Sequence, residues 1–193
     1  MPTNITGLLP IIIGITGTLG AGKGTIVEHL GKKGFKHYSV RAYITEEIER
    51  RGLPVNRDHM VAVGNDLRAK NSPSYIVEQL YERAQKAGGN CVIESIRTPG
   101  EAEALKKKGV FYLFAVDAKP ETRYQRIIAR KSATDNVSFK EFLQNEKREM
   151  HSTDPNRQNL GKCIEMSDFQ ITNNGTFQEL YQSVDKILEK IKI

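Results

Sequence analysis

Tryptophan is absent from the 193 residues, and cysteine occurs only twice, at Cys91 and Cys163. The two lie far apart with no Cys-His cluster beside them, which excludes the usual zinc spacings and a disulfide scaffold. Both are read as packing residues. Long apolar runs are missing too. The longest, Leu8 to Ile13, is interrupted by Pro10 and falls far short of the roughly 20 residues that cross a bilayer. The first ten residues carry neither a basic n-region nor a small-residue cleavage site, so a cytosolic location is expected. No low-complexity tract appears. With 38% hydrophobic and 27% charged residues, one globular domain spanning residues 1–193 is expected at about 150 residues per domain.

Histidine is also scarce. His29, His37, His59 and His151 form no i, i+4 pair and no ligand-spaced cluster with cysteines or carboxylates, so they are assigned neither a metal nor a catalytic role. No nucleophile elbow of the Ser hydrolases is visible. What the chain does carry is positive charge: 29 Lys and Arg against 23 Asp and Glu, a net +6. Such a surplus accompanies an anionic partner. The basic residues are not interleaved with aromatics in a stripe, which argues against nucleic acid and favours a phosphorylated small molecule.

Short apolar runs alternate with longer amphipathic stretches, the pattern of βαβ units around a parallel sheet with both faces covered. The predicted strands are Ile11–Ile15 with Thr16 and Gly17 at its end, Lys36–Val40, Asn90–Glu94, Val110–Val116 and Phe169–Thr172. Predicted helices run from Lys23 to Lys33, stopped by Gly34, and over residues 42–51, 56–70 and 73–87, with Pro54 and Pro73 at the breaks. A helical pattern from Lys119 to Met150 carries a polar interruption at Lys131–Val137, and a closing helix covers Gly175–Lys192. The expected architecture is α/β, three layers, with five parallel strands and helices on both faces.

The sharpest motif is Gly17-Thr18-Leu19-Gly20-Ala21-Gly22-Lys23-Gly24-Thr25, where an apolar strand turns into a helix. Glycines admit φ > 0 and aim successive N–H groups at an anion. The helix N-terminus adds its positive end, and Lys23 can reach the β- and γ-phosphates. The order G-x-x-G-x-G-K-G-T resembles the loop of the nucleoside monophosphate kinases, adenylate kinase above all, more than the G-K-S-T form usual in dephospho-coenzyme A kinases. The resemblance implies a P-loop fold, ATP and Mg²⁺ as cofactors, all nine loop residues at the nucleotide, and Thr25 near the metal.

Val92-Ile93-Glu94-Ser95-Ile96-Arg97 puts an acidic residue at the C-terminal edge of a buried strand, where open α/β sheets gather ligands. It is similar to the hydrophobic-acidic-x-x-Arg segment of that family, which implies that Glu94 holds magnesium through water and Arg97 grips the acceptor phosphate. Arg123, Arg126 and Arg130 follow at three- and four-residue steps, near one helical face. The resemblance places them where a lid begins, at residues 126–140, and implies that Arg126 and Arg130 neutralise the transferred phosphoryl group together with Lys23 and Arg97.

It also implies a helical acceptor-binding insertion over residues 41–88. The family's Ser-Thr-Gly-Asp-x-x-Arg opening survives there only as Ser39. Arg41, and Arg68 within Asn65-Asp66-Leu67-Arg68, are the available acceptor arginines. Tyr38 and Tyr43 are weighed as base-stacking or core residues, and Asn173-Asn174-Gly175 as a turn near the adenine. The stretches Ser95–Glu103 and Ser167–Ile171 resemble archaeal-type kinases of the adenylate-kinase-related and dephospho-coenzyme A kinase-like groups.

Three activities fit these residues. The first is transfer of a phosphoryl group to a nucleoside or deoxynucleoside monophosphate, whose oxyanion needs positioning rather than a general base. A hydroxyl acceptor such as dephospho-coenzyme A would require a carboxylate base, for which Glu46, Glu47 and Glu94 are the candidates. An accessory nucleotide-binding protein with little turnover is the third.

Overall fold

The structure is a computed structural model describing residues 10–131 and 137–192. Five strands form one parallel sheet: β1 (Ile11–Gly17), β2 (Lys36–Ser39), β3 (Cys91–Glu94), β4 (Val110–Asp117) and β5 (Phe169–Thr172). Their order across the sheet is β2-β3-β1-β4-β5. Composition explains that order. The inner strands β1, β3 and β4 are apolar along nearly their whole length and buried on both faces, whereas Lys36-His37-Tyr38-Ser39 and Phe169-Gln170-Ile171-Thr172 put polar residues on the two edges.

Residues of opposite parity in β1 feed two cores. Ile13 and Ile15 pack with α1 (Lys23–Lys32) and α9 (Phe177–Lys190), through Ile26, Leu30, Leu180 and Val184. Ile12 belongs to the other core, filled by Ile44 of α2 (Val40–Arg50), Val63 and Leu67 of α3 (Arg57–Lys70), Ile76 and Leu80 of α4 (Tyr75–Ala87), and Leu105 of α5 (Pro99–Lys106). The chain between β2 and β3 thus folds as the three expected helices, joined by short turns. Beyond β4 come α6 (Pro120–Arg130), α7 (Phe139–Met150) and α8 (Leu160–Glu165). Tyr124, Phe139 and Phe142 stack α6 on α7.

All five expected strands form, β5 at the expected bounds and the others within one or two residues of theirs. Two short helices were not anticipated. One is α5, although Thr98-Pro99-Gly100-Glu101 is a complete capping box with proline in the first turn. The other is α8, six residues capped by Asn159 and too short to show a period. Val40 opens α2 rather than ending β2, because the Ser39 hydroxyl caps the helix through Ala42 N–H. Part of the expected lid region 126–140, namely residues 132–136, lies outside the described residues.

The floor between the helices and β3 is held by one buried carboxylate. Glu101 Oε1 accepts from Arg68 Nε (3.0 Å) and Nη2 (2.7 Å), and its Oε2 accepts the backbone N–H of Arg97 (2.9 Å) and Thr98 (3.1 Å). Both side chains are almost fully buried, so removing either partner strands a charge away from water. Glu101→Gln or Arg68→Ala is expected to cost about 3–5 kcal/mol in urea denaturation, and an unchanged midpoint would contradict this role.

Candidate functional site

The turn from β1 to α1 is made possible by glycine at two points. Gly17 has φ +128°, and a Cβ there would lie 2.0 Å from the Val116 carbonyl oxygen of the neighbouring strand. Gly22, at φ +106°, caps α1 in the left-handed region, and a Cβ would meet the Asn173 amide at 2.4 Å. The turn is fastened from below. Thr18 Oγ1 donates to Asp117 Oδ1 at 2.5 Å, and Asn173 Nδ2 donates to the Ala21 carbonyl at 2.8 Å. Thr18 and Ala21 are buried beneath the loop, while Leu19, Gly20, Gly22, Lys23, Gly24 and Thr25 line the cleft above it.

Lys23 folds over its own loop, with Nζ donating to the carbonyls of Gly17 (2.8 Å) and Thr18 (2.7 Å). Burial above all, with the charges of Arg97 and Arg130, draws its pKa down to about 7 against the pull of Glu94 and Glu149. Glu94 stands at the carboxyl end of β3, level with Ile15 of β1. Burial pushes its acid upward, but the hydrogen bonds of His37, Ser39 and Ser95 and the charge of Lys23 outweigh this and hold it at about 2. Ser39 Oγ reaches Oε1 at 2.6 Å and Ser95 Oγ reaches Oε2 at 2.5 Å. Ser95 does so from φ +70°, a conformation L-residues rarely adopt, and it turns the chain sharply out of β3.

Two connected hollows adjoin this loop. A cleft of about 880 Å³ is bounded by the loop, Glu94, Arg97, Arg126, Arg130 and Phe177. A smaller cavity of about 60 Å³ lies against α2 and α3, walled by Val40, Ile44, Met60 and Val61 with Arg41, Arg57, Arg68 and Arg97. Leu19, Arg41, Ser95 and Arg97 border both. Sequence reasoning therefore assembles one site: Lys23, Thr25, Arg41, Glu94, Arg97, Arg126 and Arg130 share a cleft.

Other expectations need correction. Arg123 does not share a face with Arg126 and Arg130; it turns inward to bind Glu146 and the Ala118 carbonyl, over the Phe142 ring. Arg68 borders the small cavity, yet Glu101 already holds it, so it serves the floor rather than a free acceptor contact. Ser39 borders neither hollow and acts by orienting Glu94 and capping α2. Tyr38 and Tyr43 pack on the helical core, Tyr43 under the Arg83 guanidinium. Asn173 lines the cleft, its carbonyl accepting from Arg126 at 3.0 Å.

Sequence reasoning missed Arg57, Glu149, Gln158 and Phe177. Phe177, in the first turn of α9, is 66% exposed on the cleft wall. An exposed aromatic beside Thr176-Phe177 is a weak local signal, and the other three carry none. Among the described residues no three His, Cys, Asp or Glu side chains could enclose a metal. The ionised Glu94, with a lone pair to spare on Oε2, and the Thr25 hydroxyl nevertheless fit Mg²⁺, which takes one or two protein ligands and completes its shell with phosphate and water.

A phosphate loop at the carboxyl end of the central strand of this sheet defines a kinase-like P-loop α/β protein. The chain belongs to the AAA domain family, which matches residues 13–153. It is 27% identical over 187 residues to UPF0200 protein PH1008 of Pyrococcus horikoshii, covering 94% of this chain and 97% of the relative. A UPF0200 protein of Methanothermobacter thermautotrophicus is 28% identical over 183 residues, covering 94% and 90%. Among solved structures, TT1252 from Thermus thermophilus superposes with a TM-score of 0.62 at 20% identity, over 94% of this chain and 97% of that one. Shikimate kinase from Bacteroides thetaiotaomicron does so at 0.56 and 14%, over 95% and 99%. The shared fold is that of P-loop kinases. No helix among the described residues is long and apolar enough to cross a membrane.

An unfolded lysine keeps its proton up to 10.5, whereas folded Lys23 releases it near 7. The unfolded chain therefore binds more protons between those values, and stability rises with pH across that window. Denaturation midpoints measured from pH 7 upward should show this rise in the wild type and lose it in Lys23→Met; identical pH profiles for the two proteins would disprove the shift.

Proposed function

We propose that the protein transfers the γ-phosphoryl group of ATP to a nucleoside or deoxynucleoside monophosphate. The observation that carries this reading is the convergence of Lys23, Arg97, Arg126 and Arg130 on one cleft above a phosphate loop. Such a transfer spreads negative charge over the moving phosphoryl oxygens, and cations gathered around them stabilise it. The cleft volume lies within the range of small-ligand sites. Phe177 offers a flat apolar face for the base, and the loop N–H groups receive the phosphates. Glu94 and Thr25 would hold Mg²⁺, which supplies neutralisation of the β- and γ-oxygens when bound.

The protonation states favour an acceptor that is already anionic. A hydroxyl acceptor must give up a proton, and a carboxylic acid near 2 takes it poorly. Glu94 stands at about 2. Arg50 and Arg51 pin Glu47 and hold it at about 2 as well, and Glu46 faces Arg83 on the exposed surface of α2. A phosphate monoester needs no such base, only the arginines beside Leu19 and Ser95 to align it.

A coupled ADP-release assay across ribo- and deoxyribonucleoside monophosphates and dephospho-coenzyme A is expected to show turnover with at least one monophosphate. Turnover confined to dephospho-coenzyme A, or only slow ATP hydrolysis with every acceptor, would refute the reading. Lys23→Ala should abolish turnover with the fold intact. Arg97→Ala and Arg126→Ala should each lower kcat by about 10²–10³-fold, and near-wild-type rates in either would remove that arginine from the mechanism.

A further inference from the structure

Glu149 stands where elementary rules disfavour it. It lies in the last turn of α7, at the negative end of the helix dipole, and is 5% exposed. Its two neighbours in that turn, Lys147 and Arg148, are of the sign a helix end prefers. What keeps the carboxylate there is a pair of guanidinium groups from distant parts of the chain. Arg57 Nη2, on the first residue of α3, donates to Oε1 at 2.6 Å, and Arg97 Nη1, beyond β3, donates to Oε2 at 2.7 Å. Gln158 Oε1 accepts from the same Arg97 nitrogen at 3.0 Å.

All four residues line the small cavity next to the phosphate loop. One donor there is also unused: Arg57 Nε is buried with no hydrogen-bond partner among the described residues. Buried donors normally find an acceptor, so an orphan beside a cavity points to a ligand atom. Two guanidiniums converging on two oxygens suit a phosphate as well as a carboxylate, since both offer the same fork of acceptors. At about 60 Å³ the cavity has room for a small oxyanion but not for a whole nucleotide.

Arg97, which the resemblance puts at the acceptor's phosphate, is paired here, and we propose that Glu149 is an internal counter-ion that holds Arg97 and Arg57 together until a phosphate displaces it, Arg57 being a second arginine for that phosphate. The inference rests on the phosphotransfer reading and adds to it the means by which the site admits a phosphate and turns other acceptors away. Displacement makes the site selective. A phosphate dianion brings more charge and more acceptor oxygens than the single carboxylate. A neutral hydroxyl compound cannot dislodge a carboxylate from two arginines, and so finds them taken.

The test is calorimetry of inorganic phosphate binding to the full chain, with the loop saturated by magnesium and a non-hydrolysable ATP analogue. Glu149→Gln removes the competing charge and is expected to bind phosphate about tenfold more tightly than the wild type, while Arg57→Gln binds it about tenfold more weakly. Unchanged or weakened phosphate affinity in Glu149→Gln overturns the displacement mechanism even where the analogue binds normally. Absence of heat from the analogue itself overturns the wider reading, and this one with it. Should Glu149→Gln fail to fold, side-chain ¹⁵N spectra of the wild type decide: phosphate is expected to shift the Arg57 and Arg97 Nε resonances, and immobile resonances overturn the proposal.

Discussion

The close approach of the loop backbone to β4 at Gly17, with the Val116 carbonyl where any side chain would stand, is the constraint on which the site depends. It forces the chain to leave the central strand in a left-handed turn and delivers Gly22 to the head of α1, where Gly22, Lys23 and Gly24 line the cleft. Thr18, bound to Asp117, and Ala21, bound to Asn173, fix that turn to the ends of β4 and β5. The cleft is therefore built from the carboxyl ends of neighbouring parallel strands, where such sheets bind ligands. Lys23 waits above, resting on loop carbonyls that an incoming phosphate would replace as its partners.

Charge is distributed around this turn by function. Three carboxylates near it meet different fates. Glu101 is sealed in the floor with Arg68; Glu94 stays ionised at the strand end because hydroxyls and Lys23 outweigh burial; Glu149 bridges two arginines on the wall of the small cavity. The arginines divide in the same way. Arg68 and Arg123 are buried structural ties, whereas Arg97, Arg126 and Arg130 border the cleft. A net positive charge on the whole chain thus becomes a focused field because some cations are sealed inside the fold and others border the cleft.

Much of this was legible from the order of residues. The inner strands show as unbroken apolar runs, and the loop shows because its glycines and Lys23 have fixed spacing for a local reason: backbone amides must face one anion. Glu94 and Arg97 were legible because a strand end next to β1 is where a ligand lies. The two short helices were less so. The box at Thr98–Glu101 marks a helix start but the helix runs only eight residues, while six residues at Leu160–Glu165 are fewer than two helical turns and carry no period.

Arg123 and Arg126 illustrate the boundary. Both belong to one helix at neighbouring steps, and their spacing is all that sequence offers. Tertiary packing decides that Arg123 faces Glu146 on α7 and that Arg126 faces Asn173 and the cleft. Arg57, Glu149 and Gln158 meet only because α3, α7 and the segment before α8 converge on the loop after β3. Order of residues by itself settled what is local, the strand-loop-helix turn and the phosphate chemistry of its amides. Which charges border the cleft was settled by long-range packing, because only contact between distant segments can seal one arginine in the interior and turn the next toward the cleft.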